Sequence, residues 1–361
     1  MSETVRCHYE RYPYPQFPLL ASVRTGDTYA LNLIALWTRF NGELPPKEAQ
    51  RILIAGCGSF SPYPFSVANP ASEITALDLS ASSLRRARLH CLLHGCHNVR
   101  YRTGDLLDAA AAPGPFGLID AFGVLHHLDD PVVGLRSLEA RLAAGGIVRV
   151  MIYNRYARRE EESIRRVFRL LGVRDAARAK DIIRRSAKGS RLRAFVDSSD
   201  EAGFDAGLAD SLLHPCVKTF RIDEVLELIR QTGLELLQFA HCDALEQVDD
   251  ELKRIRRMES DRQSSGNFLF YLGHATKRNN LDSALNYLLL NPCLRRVITP
   301  LQFGTVQLPP RLGFENPLLG WRERSFLRSF RSPVARHSLG PELLDSVRVY
   351  QKAMFLLQYT R

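Results

Sequence analysis

The chain has 361 residues, 45% of them hydrophobic and 24% charged, the composition of a soluble globular protein of one large domain with additions, or of two domains. No apolar run approaches the ~20 residues that span a bilayer, which excludes a transmembrane helix. Seven cysteines at irregular spacings make no disulfide framework, and this predicts a reducing, cytoplasmic location. The formal net charge of +10 is unevenly placed: residues 155–193 carry 14 basic against 5 acidic groups, 194–276 carry 8 against 16, and 277–361 carry 13 against 5. The two basic segments suit an anionic substrate or nucleic acid, or they are solvated helix faces.

The first 48 residues open MSETVRCHYERYPYP, with neither the apolar stretch nor the cleavage site of a signal peptide. Tyr9, Tyr12 and Tyr14, set among prolines, read as a lid over a pocket or as an extended apolar strap. From residue 51 short apolar runs alternate with helical patterns, as in a parallel sheet with crossover helices. The predicted strands are RILIAG (51–56), EITALD (73–78), VRYRTG (99–104), LIDAFGV (118–124) and GIVRVMIY (146–153). Ser80 is placed to cap a helix that Gly95 ends, and Pro131 to open one that Gly145–Gly146 stops.

Residues 154–215 interrupt this rhythm with an amphipathic helix (Ile164, Val167, Phe168 and Leu171 on one face) and arginine-rich helical sequence, and predict an insertion. The alternation resumes over 216–276 with a helix carrying Ile222, Val225, Leu226 and Ile229 on one face, then strands at 234–241 and 267–275 that close the sheet antiparallel. Beyond 276, SALNYLLLN reads as an apolar helical segment and LDSVRVYQKAMFLLQYT as a final helix, so residues 277–361 are expected to form a helical extension.

In an open α/β sheet the ligand sits beyond the carboxyl ends of the strands. Gly56 and Gly58 begin the G-x-G-x-x-G loop of dinucleotide folds, but Phe60, Ser61 and Pro62 replace its later glycine and helix start. Asp78, twenty residues after Gly58, is placed to accept from two ribose hydroxyls, and Asp105 from an adenine amino group. FGVLHHLDDP (122–131) sets Gly123, Leu125, His126 and His127 at the end of the fourth strand. Adjacent histidines on a tight loop point apart and lack the spacing of metal ligands, so no metal is expected. In CLLHGCH (91–97), Cys91 falls on the core face of its helix and the stretch reads as structural.

The ordered set AGCG, TALDLS, TGDLL and FGVLHHLDDP resembles the class I S-adenosylmethionine-dependent methyltransferases over roughly residues 50–153, and the resumed alternation at 216–275 fits the last helix and strand pair of that fold. YERYPYPQF, MIYNRYARRE and LLHPCVKTFRIDEVLELIRQTGL further resemble a bacterial branch sometimes joined to tetratricopeptide repeats, though no repeat is present here. The resemblance implies a Rossmann-like seven-stranded α/β core (49–153 and 216–276) with an N-terminal lid (1–48), a basic helical insertion after strand five (154–215) and a C-terminal helical extension (277–361). It implies S-adenosyl-L-methionine as cofactor, contacted by Ala55, Gly56, Cys57, Gly58, Asp78, Leu79, Gly104, Asp105, Leu106 and Gly123. Because the strand-one glycines of that family lie along a methionine part that has no pyrophosphate, the later glycine is dispensable. His126, Tyr153 and Arg158 are the candidates for handling the acceptor, with the arginine suited to a carboxylate or phosphate. The expected function is methyl transfer to a small or medium acceptor. RNA or protein methylation through the basic segments, and cofactor binding without catalysis, are the alternatives.

Overall fold

A computed structural model describes residues 3–199, 201–274, 286–299 and 304–360. Its centre is a seven-stranded sheet: β1 (Arg51–Ala55), β2 (Glu73–Asp78), β3 (Val99–Thr103), β4 (Phe116–Phe122), β5 (Leu142–Ile152), β6 (Glu235–Phe239) and β7 (Phe268–Gly273). The strand order is β3-β2-β1-β4-β5-β7-β6, parallel from β3 to β5, with β7 antiparallel to both β5 and β6. The central strands are near-continuous apolar runs because helices cover both faces. β1 lies between β2 and β4, so strand order reverses there and a crevice opens beyond the carboxyl ends.

The helix starts follow local chemistry. Ser80 caps Ala81–Leu93 by accepting from the Ser83 amide, and Asp130 caps Pro131–Glu139, whose proline sits in the first turn. Pro62 opens Pro62–Ala68 in the same way, so a helix does follow the glycine loop. The helix from Pro131 stops at Glu139, before the glycines expected to end it. Gly145 and Gly146 lie inside β5, where Gly145 adopts φ +74° and a Cβ would sit 3.2 Å from the Trp37 ring.

The insertion is helical, with Arg159–Leu170, Ala176–Arg185, Arg191–Ser198 and Asp205–Leu213 enclosing an apolar cluster that includes Ile164, Phe168, Ala179, Ile183, Leu208 and Leu212. Tyr12 of the N-terminal segment packs against that cluster.

The C-terminal extension is not wholly helical. β8 (Asn286–Leu290), β9 (Val334–Ala335) and β10 (Leu356–Thr360) form a second sheet in the order β10-β8-β9, flanked by the helices Trp321–Arg328 and Pro341–Lys352. SALNYLLLN was expected to be helical; residues 283–285 lie outside the described residues, and the rest is β8, in which Asn286, Leu288 and Leu290 are buried in alternation. The final helix ends at Lys352, because Met354 adopts φ +58° and turns the chain into β10. This sheet shares a core with the segment before β1: Leu288, Leu290, Phe355 and Leu356 join one cluster with Tyr29, Leu33, Leu36 and Trp37. Asn291 ties the two by donating to the carbonyls of Tyr29 (3.2 Å) and Met354 (2.9 Å). Among the described residues no helix is long and apolar enough to cross a membrane, and all seven cysteines are free.

Candidate cofactor and acceptor site

A cavity of about 970 Å³ opens at the carboxyl ends of β1, β2, β4 and β5. Gly56 (φ +64°) and Gly58 (φ +57°) turn the chain over it, in a conformation that favours glycine. A Cβ on Gly56 would stand 2.5 Å from a Val124 methyl, and one on Gly58 2.6 Å from the Tyr14 carbonyl oxygen. The Gly58 amide donates to Asp78 Oδ2 (2.7 Å) and the Ser80 amide to Oδ1 (2.9 Å), so the loop and the end of β2 are held by one carboxylate. Burial pushes the Asp78 carboxyl up to about 6, against the pull of those two amides.

The N-terminal segment crosses this loop. The Ser59 amide donates to the Tyr14 carbonyl (3.1 Å), Ser59 Oγ bonds the Pro15 carbonyl, and Ser80 Oγ donates to the Tyr9 carbonyl (3.1 Å). Phe60, in the stretch that replaces the pattern's later glycine, places its ring 4.4 Å from Phe17 and 5.1 Å from His90. The departure from the dinucleotide pattern therefore supplies a contact that fastens the N-terminal segment.

Gly56, Cys57, Gly58, Asp78, Leu79, Gly123, Tyr153 and Arg158 line the cavity; Ala55, Gly104, Asp105, Leu106 and His126 do not. Ala55 is buried within β1. Gly104 donates its amide to the Asp78 carbonyl, Asp105 Oδ1 accepts from the Leu107 amide, and the carbonyl of buried Leu106 accepts from Ser137 and Arg141. The loop after β3, expected at the adenine, forms a turn braced on its neighbours. His126 also stands outside the cavity lining. Its ring is wholly buried, stacks 3.7 Å from Tyr153, and leaves neither nitrogen a partner among the described residues. Its neighbour His127 faces the cavity. Arg158 lies over the Tyr153 ring at 4.0 Å and donates to Glu161 (2.5 Å) and Asn267 (3.0 Å), which commits much of the fork expected to grip an anion.

Sequence reading missed Asp210, His214 and one face of the sheet. Tyr9 hydroxyl donates to Asp210 Oδ1 (3.0 Å), and His214 follows Asp210 by four residues, a D-x₃-H spacing legible in DSLLH. Burial holds the His127 imidazole down at about 3, so it is neutral near pH 7, and depresses His214 likewise. On the sheet, Asp120 and Phe122 of β4, Arg149 and Met151 of β5, and Leu269 and Tyr271 of β7 are alternate residues on one face and extend the cavity toward Arg311. Arg149 donates to buried Asp120 (2.7 Å) and lies 4.7 Å over the Phe122 ring. Burial raises the Asp120 carboxyl while Arg149 opposes it.

A parallel sheet ending in an antiparallel strand inserted between β5 and β6, with a glycine loop after β1 and a buried carboxylate ending β2, defines a cofactor-binding fold of the methyltransferase type. Residues 53–148 match the family model described as a methyltransferase domain. An uncharacterized protein of Synechococcus sp. is 30% identical over 254 residues, which are 67% of this chain and 61% of that protein. A ubiquinone biosynthesis O-methyltransferase of Xanthomonas euvesicatoria pv. vesicatoria is 34% identical over 106 residues, 29% of this chain and 44% of that enzyme. The chain thus spans less than two thirds of either relative. The solved structure of PKMT2 from Rickettsia typhi shares the fold, with a TM-score of 0.57 at 15% identity over 96% of this chain and 78% of that one. Residues 53–148 carry a methyltransferase domain of the class I S-adenosylmethionine-dependent type. Its residues fit that cofactor: Asp78 offers a buried carboxylate to ribose hydroxyls, and Gly56 and Gly58 bring backbone to the cavity where side chains would not fit.

Proposed function

We propose that the protein transfers the methyl group of S-adenosylmethionine to a small or medium acceptor held in the same cavity. One observation carries this reading: the expected cofactor elements, Gly56–Gly58 and Asp78, share a single space of about 970 Å³ with the polar side chains of Tyr9, His127, Arg149 and Tyr153. That volume lies at the upper end of ligand sites, roughly 300–1,000 Å³, and accommodates two molecules side by side. When bound, the cofactor supplies an activated methyl group on a sulfonium, transferred by in-line displacement. Asp78 and the glycine loop hold and orient it, and the N-terminal segment excludes water. Arg149, backed by Asp120 and Phe122, gives the acceptor end a cation suited to an anionic group. The likeness to an O-methyltransferase supports oxygen as the receiving atom.

A second reading, methylation of RNA or protein, is favoured by Arg178, Arg184 and Arg185. All three are more than half exposed around the single carboxylate of Asp181. Calorimetric titration with S-adenosylmethionine, S-adenosylhomocysteine and NAD, then a screen of acceptors with a labelled methyl group, tests the leading reading. Binding of NAD alone would overturn it, and RNA binding with a steep salt dependence would favour the second.

A further inference from the structure

The insertion helix Asp205–Leu213 and its C-cap bring Asp210 and His214 against His127. One ligand-type atom from each of the three lies within 4.8 Å of the others, and all three side chains are buried. Two histidines and a carboxylate suit either a metal ion or a proton relay, and a single peptide unit decides between them. His127 Nδ1 lies 2.8 Å from the carbonyl oxygen of Cys216, which only accepts. The ring proton of His127 is therefore on Nδ1, and Nε2 holds a lone pair on a ring that lines the cavity. His214 is fixed the opposite way. The Cys216 amide, which only donates, points at its Nδ1 (3.1 Å), so the neutral ring carries its proton on Nε2, buried and without a partner among the described residues. A metal needs a lone pair from each histidine and an acceptor for the other ring N–H. His127 meets both conditions and His214 meets neither.

We propose that His127 is the general base of the methyl transfer, through Nε2, and that its acceptor is a hydroxyl compound; this rests on the function proposed above. A carboxylate acceptor brings no proton and needs no base. An ammonium is disfavoured beside Arg149, Arg158 and the cationic cofactor. In the step, the hydroxyl O–H bond breaks and its proton passes to Nε2. The oxygen electron pair forms the new O–CH₃ bond, and the C–S bond breaks with its pair left on sulfur. The imidazolium later releases its proton to water. One positive charge vanishes at sulfur as one appears on the ring, so the net charge of the buried site is unchanged through the reaction.

The groups facing His127 are His8 and Tyr9 from the N-terminal helix, its neighbour His126, Tyr153 just after β5, Arg158 and Arg165 from the insertion, and Asp210 and His214. Burial, with Arg165, His8 and Arg158 adding to it, holds the resting ring unprotonated at neutral pH; the Asp210 carboxylate, fixed by Tyr9 and within 4.8 Å of a His127 nitrogen, is placed to offset part of the charge the ring acquires. Asp210 and His214 are positioning residues.

The test uses the full chain bound to S-adenosylhomocysteine, with ¹⁵N-labelled histidine and signals assigned through H127Q and H214Q. His127 should be the Nδ1–H tautomer and His214 the Nε2–H tautomer at pH 7.5, with no stoichiometric zinc after incubation with zinc chloride and gel filtration. A proton on Nε2 of His127, or one tightly held zinc per chain, would overturn the proposal whether or not an acceptor is known. With a hydroxyl acceptor from the methyl screen, H127Q should lower kcat by about 10²–10³-fold. Its affinity for S-adenosylhomocysteine should stay within twofold, and the loss should shrink for phenols already ionised at the assay pH, a trend that a packing defect does not produce. An amine or carboxylate as the acceptor methylated would also overturn it. Failure of the protein to bind S-adenosylmethionine would instead strike the proposed function.

Discussion

Asp78→Asn separates cofactor binding from folding. Burial raises the Asp78 carboxyl from an ordinary 3.8 to about 6, a shift worth about 3 kcal/mol at 1.36 kcal/mol per unit. The folded protein holds a proton between pH 3.8 and 6 that the unfolded chain has lost, so the ionised group costs the free protein that amount at pH 7.5. Asparagine removes this cost, but turns an amide N–H toward the Gly58 or Ser80 amide, a lost hydrogen bond of about 1–3 kcal/mol. The two effects nearly cancel, so the Tm of the free protein should move little. Binding has no such compensation. Hydrogen bonds to a charged acceptor contribute about 1.5–3 kcal/mol each. Losing roughly 3 kcal/mol in total weakens Kd about 100-fold, since 1.4 kcal/mol is tenfold. Titration calorimetry with S-adenosylhomocysteine at pH 7.5, with circular dichroism melts as control, reads both quantities. Wild-type affinity should also fall as pH drops below about 6, where the carboxylate takes up its proton, and the variant should lack that dependence. A Kd within threefold of wild type, in a variant that melts normally, would refute the assignment of Asp78 to the cofactor.

Acid should destabilise the fold. Burial depresses His8 to about 4 and His127 to about 3, so their contribution is fully present above the unfolded value of 6.5 and is lost as pH falls toward 4; melts from pH 7.5 to 4.5 should show it, with His8→Phe losing less. Phe60→Ala removes the ring that holds Phe17, and limited proteolysis should cut residues 11–24 faster while thermal unfolding shifts little. Leu288→Ala in β8 should cost about 2–5 kcal/mol by denaturant unfolding, because that strand shares the core of the segment before β1. A single transition, with no separate melting of the C-terminal sheet, is expected in the same experiment.

The core sheet was legible because its central strands β1, β2 and β4 are apolar runs followed by a turn or capping residue, and parallel strands covered on both faces read that way. The C-terminal sheet was not. A short apolar run such as NYLLL satisfies helix and strand alike, and no glycine or proline announces the turn at Met354, whose positive φ is imposed by packing. The cofactor loop was legible from Gly56, Gly58 and Asp78, which carry their chemistry in residue type. The choice between His126 and His127 was not, because both sit on one 3₁₀ turn, Leu125–His127, and only the turn's orientation decides which ring meets the cavity and which stacks on Tyr153. Asp210 and His214 enter from an insertion more than eighty residues further on, and short-range spacing says nothing of that approach.

The N-terminal helix Glu3–Arg11 joins the two halves of the site. Glu10 accepts from the Ala81 amide (2.5 Å) and the Tyr9 carbonyl from Ser80 Oγ, so the helix is fixed to the element that follows the Asp78 strand. The same Tyr9 directs its hydroxyl to Asp210, and Tyr12 just beyond accepts from the Ala176 amide (3.3 Å), both within the insertion. Any displacement that opens the cavity along this edge must break contacts on the cofactor side and on the acceptor side together. Under the proposed function, a ligand held at Asp78 would lie beside a segment that also holds Asp210 near His127.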